Sequence, residues 1–208
     1  MRAESGRGDF RKEITLTQAK KGCCKMKKML MAVLSVLTVW AFAVEIPLRN
    51  AEFKPANGKI PFWRVNNPEH GSCEAVPLDG AAGKFALKLS STSGEKYFGA
   101  MQYLDYKSFP KVGEGEMLQF KLTFRQKDVD VNYGGFANFS AFTKKGYVAG
   151  ADTDKISGSF DWKEVTAIRK FKKLPDDLST FTLTFYLGKT TGTVYFANPK
   201  LEVEVVKR

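Results

Sequence analysis

The chain has 208 residues, of which 43% are hydrophobic and 26% are charged, with a formal net charge of +11 at pH 7. This composition is that of an ordinary globular protein and excludes a collagen-like, low-complexity or wholly disordered chain. The single histidine, His70, argues against His-rich metal sites and against most catalytic triads built on histidine. The length fits one large domain or two small ones.

The N-terminal region has the pattern of a secretory signal peptide. Lysines precede an uncharged, mostly apolar run at 29–42, and Ala41 and Ala43 supply the two small side chains of an A-x-A cleavage site. The run is shorter than the about 20 apolar residues that cross a bilayer, so we expect no membrane span after cleavage. The predicted segments are an upstream extension from a mis-assigned start at 1–25, a signal peptide at 26–43, and a secreted or periplasmic domain at 44–208.

Cysteine usage and the distribution of charge exclude two further classes. After cleavage Cys73 is the one cysteine left, so a disulfide scaffold is excluded, and we expect Cys73 to be a small buried or loop side chain. Nucleic-acid binding needs a concentrated basic stripe. Here the lysines are spread along the predicted strands, with one short basic cluster at 169–173. We therefore expect no nucleic-acid partner.

The mature region is dominated by a period of two. Apolar and polar side chains alternate at 84–89, 118–125, 181–188 and 201–205, which is typical of half-buried strands. Turn signals such as Asn57-Gly58 separate these segments. Further strands are predicted near 46–53, 97–104, 135–143, 146–149 and 162–171. The fold class predicted is all-β, a single antiparallel β-sandwich of eight or nine strands preceded by a signal peptide.

Three parts of the mature chain carry a resemblance to a known family. The start LRNAEF at 48–53 is followed by PFW at 61–63, and a regular strand lies at 116–126. The ending combines SGSFDWKEV at 157–165 with GTVYFANPKL at 192–201. These segments resemble the galactose-binding-like jelly-roll carbohydrate-binding modules of the type found on bacterial glycoside hydrolases. The resemblance implies a jelly roll over 44–208 that binds a polysaccharide or an oligosaccharide.

The resemblance also implies one structural calcium ion. Many family members bind calcium through an acidic residue before the last strand together with oxygens of the first strand. In this sequence Asn198-Pro199 replaces the acidic pair, and Asn50 and Glu52 lie at the first strand. Calcium prefers six to eight oxygen ligands, several of them carboxylates. Asn50, Glu52 and Asn198 are thus the candidate ligands, with one negative charge among them.

Sugar recognition combines flat aromatic rings, which cover the C–H faces of a pyranose, with side chains that hydrogen-bond its hydroxyls. Polar-face residues of the predicted strands and the outward register of segment 133–142 supply both kinds of group. Trp63 and Trp162 are expected in the core instead. The candidate carbohydrate-binding residues are Gln119, Arg125, Tyr133, Phe136, Asn138, Phe142 and Tyr186.

The sequence contains no nucleophile elbow, P-loop or H-E-x-x-H motif, and most of its carboxylates fall in predicted loops. We therefore expect that the protein is not an enzyme and that it binds glycan without catalysis. The alternative is an exported structural or protein-interaction β-sandwich with a protein partner at the envelope. Glycan binding needs aromatics beside hydrogen-bonding side chains in a groove, whereas protein contact needs a broader apolar patch with a polar rim.

Overall fold

The computed structural model describes residues 43–172 and 174–208. Ten strands and two short 3-10 turns, Pro68–His70 and Tyr106–Ser108, account for the regular structure, and every strand pairing in it is antiparallel. The predicted all-β fold is confirmed. The strands are β1 (Val44–Ile46), β2 (Arg64–Asn66), β3 (Ser72–Pro77), β4 (Phe85–Ser91), β5 (Phe98–Leu104), β6 (Glu116–Thr143), β7 (Gly146–Asp152), β8 (Ile156–Phe171), β9 (Leu178–Leu187) and β10 (Gly192–Lys207).

The predicted upstream extension at 1–25 and all but the last residue of the predicted signal peptide at 26–43 lie outside the described residues. Both stay predictions, as does the secreted or periplasmic location. Within the described part of the chain, no helix has the length and apolar character needed to span a membrane.

The strands form two layers that share β6. The first layer contains β3, β4, β10, the N-terminal half of β6 and β8, with β1 paired to β10. The second layer contains β2, β5, β9, the C-terminal half of β6 and β7. Because β6 runs through both layers, the ten strands make one continuous sheet that curls into a nearly barrel-shaped sandwich.

The transition of β6 between layers occurs between Gln126 and Gly135. Its register with β8 shifts three times in this stretch, and Asp130 adopts a left-handed backbone with φ of 54°. Gly134 lies so close to β8 that a Cβ added to it would overlap the carbonyl oxygen of Ile156. The segments at 116–126 and 135–143, predicted as separate strands, are therefore two halves of one bent strand.

Phenylalanine side chains from both layers fill the interior. Phe120 and Phe181 stack with ring centroids 5.1 Å apart, and Phe185 packs on Phe196 at 4.6 Å. All four are fully buried, and each such burial contributes about 1.5–3 kcal/mol. Trp63 packs between Phe53 and Phe185, so its predicted core position is confirmed.

Two sequence predictions about the core strands are wrong. Trp162 is half-buried on the outer side of the first layer, because its position on β8 faces away from the second layer. The strand expected at 46–53 ends at Ile46. Asn50 and Phe53 take left-handed backbone conformations with φ of 50° and 52°, which turn the chain out of an extended path.

Candidate functional site

The outward face of the second layer is built from rows of cross-strand neighbours. Directly paired residues of an antiparallel sheet point to the same side, so the registers define each row. One row contains Asn66, Gly99, Tyr186 and Phe136. The next row contains Arg64, Met101, Thr184, Asn138 and Asp152.

Three aromatic side chains, Tyr97, Phe136 and Tyr186, form a cluster on this face that we call the aromatic platform. Tyr186 stacks on Phe136 with centroids 5.3 Å apart and an interplanar angle of 29°. Tyr97 meets both rings edge-on, at 6.0 Å from Tyr186 and 5.9 Å from Phe136. Phe136 is only 3% exposed, so it supports the two tyrosines, which are half-buried and offer ring surface to a ligand.

The position of Tyr186 depends on a glycine of the neighbouring strand. A Cβ on Gly99 would lie 2.7 Å from Cδ1 of Tyr186, well inside van der Waals contact. The bare backbone of β5 therefore lets the tyrosine ring lie flat across it. Nδ2 of Asn66 lies 3.5 Å from the Tyr186 hydroxyl and donates to it, which orients the ring from the other side.

The side chain of Lys155 packs at the edge of the aromatic platform. Nζ of Lys155 donates a hydrogen bond of 2.8 Å to the Tyr133 hydroxyl and lies 4.9 Å from the centroid of Phe136. This hydrogen bond lowers the pKa of the Tyr133 phenol and raises the pKa of Lys155. A hydrogen bond with Tyr133 raises the pKa of Tyr97. Lys155 is therefore held in its charged form beside the rings.

Polar side chains continue the face beyond the rings. Nδ2 of Asn138 donates to Oδ1 of Asp152 at 2.7 Å, and the Ser140 hydroxyl donates to Oδ1 of Asn138 at 2.6 Å. Asp152 also pairs with Lys155 at 3.5 Å. These contacts fix the amide and the carboxylate in one orientation while leaving acceptor capacity on the carboxylate.

Two depressions flank the tyrosines, and Tyr97 and Tyr186 line both. The larger, of about 540 Å³, is bounded by segment 64–68 and Met101. The smaller, of about 260 Å³, is bounded by Phe136, Asn138, Ser140 and Asp152. Together they form a shallow concave surface with aromatic walls and polar groups, which suits a ligand that has both apolar and hydroxylated faces.

The structure brings together four of the seven predicted sugar-binding residues, namely Tyr133, Phe136, Asn138 and Tyr186. Phe142 lies on the same layer six residues beyond Phe136, where it packs edge-on against Tyr147 at 5.8 Å. The binding role of all of them stays a prediction. Sequence reasoning missed Tyr97 and Lys155, since their places beside the platform depend on registers that the sequence does not reveal.

Gln119 and Arg125 do not lie with the other candidates, and their binding role stays a prediction. Both belong to the N-terminal half of β6, on the outer side of the first layer. Nε2 of Gln119 donates to Glu204, and the Arg125 guanidinium lies 5.0 Å from the ring of Trp162. The physical reason is the transition of β6 between layers, which separates the two halves of its polar face.

The residues proposed as calcium ligands fit the ion poorly. Nδ2 of Asn50 donates to the carbonyl oxygens of Lys54 and Pro61 at 3.0 and 3.2 Å, and its Oδ1 accepts from the Lys54 amide at 2.8 Å. The polar atoms of the Asn50 side chain are thus used to hold the backbone of the loop that follows it. No group of three or more His, Cys, Asp or Glu suited to a metal occurs within 43–172 and 174–208. A calcium ion at Asn50, Glu52 and Asn198 stays a prediction that these contacts do not support.

Cys73 lies in β3, half-buried against the core. Burial raises the pKa of its thiol to about 12, with the neighbouring Glu74 carboxylate as a second cause. The thiol is therefore neutral at physiological pH, and the expectation of a small packed cysteine is confirmed.

No protein-family model matches the chain, and no curated protein sequence matches it. Solved structures share its fold. A cyclase from Fischerella sp. TAU, in complex with 4-(1H-indol-3-yl)butan-2-one, is 15% identical over 80% of this chain and 100% of that one, with a TM-score of 0.54. The arabinose-bound α-L-arabinofuranosidase MgGH51 is 19% identical over 78% of this chain but 27% of that one, with a TM-score of 0.52.

A carbohydrate-binding module, TmCBM61 in complex with β-1,4-galactotriose, is also among the similar structures. It is 13% identical over 79% of this chain and 100% of that one, with a TM-score of 0.44. Identities this low show a shared fold alone. The β-sandwich that the family resemblance implied is present, and membership of that family stays a prediction.

The expectation that the protein is not an enzyme is contradicted by these similarities. The Fischerella cyclase is matched over 100% of its chain, so a chain with this fold is named as an enzyme there. Catalytic groups on a sandwich come from different strands, and their spacing in sequence need not form a motif. The absence of known catalytic motifs therefore does not exclude catalysis.

Proposed function

We propose that the chain binds carbohydrate on the outward face of the second layer and does so as a secreted or periplasmic protein. The observation that carries the proposal is the aromatic platform beside oriented polar groups. The rings of Tyr97 and Tyr186 would cover the C–H face of a sugar, and Asn138, Ser140 and Asp152 would bond its hydroxyls. The larger depression gives room for the next sugar of a chain.

The alternative, docking of a protein, receives less support from the same face. A protein interface has an apolar centre surrounded by a polar rim. Between the platform and Phe142, the face instead carries the small polar side chains of Thr182, Thr184 and Ser140, and both threonines are only 2% exposed. Exposed apolar side chains outside the platform include Phe62 and Val148, and exposure of such side chains is normal for a protein surface.

Tyr186→Ala and Tyr97→Ala are each expected to weaken glycan binding by at least tenfold. A central aromatic contact in a binding site contributes about 2 kcal/mol or more. The full chain is first screened on a glycan array to find its ligand, and isothermal titration calorimetry then gives the affinity of each variant. Product analysis of the same mixtures reports any turnover.

The matched control is Tyr195→Ala. Tyr195 packs edge-on against Trp162 at 6.2 Å, on the outer side of the first layer. This variant loses an aromatic side chain of the same kind but is expected to keep full affinity. Equal losses for Tyr195→Ala and Tyr186→Ala, or unchanged affinity for both, would place the site elsewhere. No glycan binding at all would overturn the proposed function.

A further inference from the structure

Cations outnumber carboxylates around the aromatic platform. Nζ of Lys189 lies 5.6 Å from the ring centroid of Tyr97, and Arg64 lines the larger depression together with Tyr97. Lys155 lies over Phe136. The one acidic side chain that lines either depression is Asp152, and Lys155 pairs with it.

The remaining two cations lack an acidic partner. Within the described residues, neither Arg64 nor Lys189 comes within ion-pair distance of a carboxylate. Four lysines of the first layer differ in this respect, because each of them pairs with a carboxylate. These pairs are Lys88 with Glu74, Lys121 and Lys200 with Glu202, and Lys127 with Asp161.

Unpaired charges beside a concave aromatic surface affect which ligand binds there. An opposite charge within a few ångströms of such a cation is attracted to it more strongly near a protein surface than in bulk water. An arginine guanidinium adds a planar fork that matches a carboxylate or an oxyanion in two hydrogen bonds. A neutral sugar would leave both cations without a partner.

We infer that the carbohydrate bound here is anionic, carrying carboxylate groups of uronic acids or sulfate esters that reach Arg64 and Lys189. This inference rests on the proposed function and specifies the substrate class of the same site. The rings of Tyr97 and Tyr186 hold the C–H face of one sugar. The charged substituent of that sugar or of its neighbour lies beside Tyr97, within reach of Arg64 at the larger depression or of Lys189.

Two matched pairs of polysaccharides test the inference with the full chain. Polygalacturonate is compared with its methyl-esterified form, and a sulfated galactan with the same galactan before sulfation. We expect the charged member of at least one pair to bind at least tenfold more tightly at 0.1 M NaCl, and which pair responds identifies carboxylate or sulfate as the recognised group. The preference should shrink at 1 M NaCl, where the screening length falls from about 10 Å to about 3 Å.

Variants assign the effect to the two cations. Arg64→Gln and Lys189→Gln should each reduce the preference for the charged polysaccharide and leave binding of its neutral counterpart unchanged. Lys84→Gln, an exposed lysine in the turn before β4, is the control and should change neither. Thermal melting of each variant verifies that the fold is intact.

The outcomes separate the inference from the proposed function. Equal affinity for the charged and neutral members of both pairs overturns the inference and leaves carbohydrate binding in place. A preference that persists in Arg64→Gln and Lys189→Gln also overturns it. Failure to bind any of the four polysaccharides, together with an empty glycan array, overturns the proposed function and the inference with it.

Discussion

Asp128→Asn is expected to raise the free energy of unfolding at pH 8 by about 3 kcal/mol, since one pKa unit corresponds to about 1.4 kcal/mol. Burial raises the pKa of the Asp128 carboxyl from 3.8 to about 6, and hydrogen bonds from Gln126 and Gly135 offset only part of that rise. The folded chain therefore keeps a carboxylate at pH 8 in a place that favours the neutral acid.

The surroundings of Asp128 explain why an ionised carboxylate at this position destabilises the fold. Asp128 is 1% exposed and Gln126 is fully buried, both in the stretch where β6 changes layer. Nε2 of Gln126 donates to Oδ1 of Asp128 at 2.9 Å and to the Gly135 carbonyl oxygen at 3.2 Å. Oε1 of Gln126 has no hydrogen-bond partner. An amide at position 128 removes the buried charge and, after rotation of the Gln126 amide, offers a donor to that oxygen. This rotation gives up the hydrogen bond from Nε2 to the Gly135 carbonyl oxygen.

The direction of the pH dependence follows from the raised pKa. Below pH 3.8 the carboxyl is protonated in both the folded and the unfolded chain, and its contribution to stability is fully present. Between this pH and about 6 the folded chain keeps the proton that the unfolded chain has lost, so stability falls as the pH rises. Above that window the loss is complete.

Urea unfolding from pH 3.5 to 8 measures this effect. The difference in free energy of unfolding between Asp128→Asn and the unchanged chain should be near zero at pH 3.5 and reach its full value by pH 7. Asp79→Asn, in the exposed turn between β3 and β4, is the control for exchanging a carboxyl for an amide outside the core. A difference that is constant across this range would mean that the carboxyl titrates alike in both states.

The fold class could be predicted from sequence because period-two patterns are local. Phe120, Leu122 and Phe124 alternate with polar residues and are buried, as the pattern requires. The turn at Asn57-Gly58 is also visible, since both residues adopt positive φ. Local patterns cannot show which strands are neighbours, because pairing is decided by packing between segments far apart in sequence.

The residues of the candidate site show where local patterns were sufficient and where they were not. Phe136, Asn138 and Tyr186 were predicted correctly to share the outward side of a sheet, since alternation alone defines that side. Arg125 obeys the same alternation, yet it lies on the other layer because β6 changes layer between Gln126 and Gly135. Tyr97 lies directly before β5, and its place beside Tyr186 follows from the pairing of β5 with β9, which the sequence does not reveal.

Gly134→Ala is expected to lower the free energy of unfolding by about 3 kcal/mol, at the upper end of what overpacking costs. A Cβ at Gly134 overlaps the carbonyl oxygen of Ile156, and its next contacts are the carbonyl carbon and amide nitrogen of the same residue. Backbone atoms of a paired strand cannot rotate aside as a side chain does. The strands β6 and β8 must separate where β6 passes between layers.

Gly113→Ala is the matched control for this prediction. Gly113 and Gly134 both have φ values outside the left-handed region, so alanine can adopt the backbone conformation of either. Alanine lowers the conformational entropy of the unfolded chain at both positions, which by itself would stabilise each variant by about 0.4–1 kcal/mol. A Cβ at Gly113 meets only the carboxylate end of Glu116, at 2.9 Å, which can move. The difference between the two variants in urea unfolding therefore isolates the backbone overlap.

The same variant also links the fold to the proposed site. Phe136 and Asn138 follow Gly134 directly on β6, so a displaced crossing shifts both relative to Tyr186 on β9. Gly134→Ala should therefore lose glycan affinity at temperatures where it is still folded, whereas Gly113→Ala should keep it. Equal stability and affinity for the two variants would show that the close approach of β6 and β8 positions neither the second layer nor its outward face.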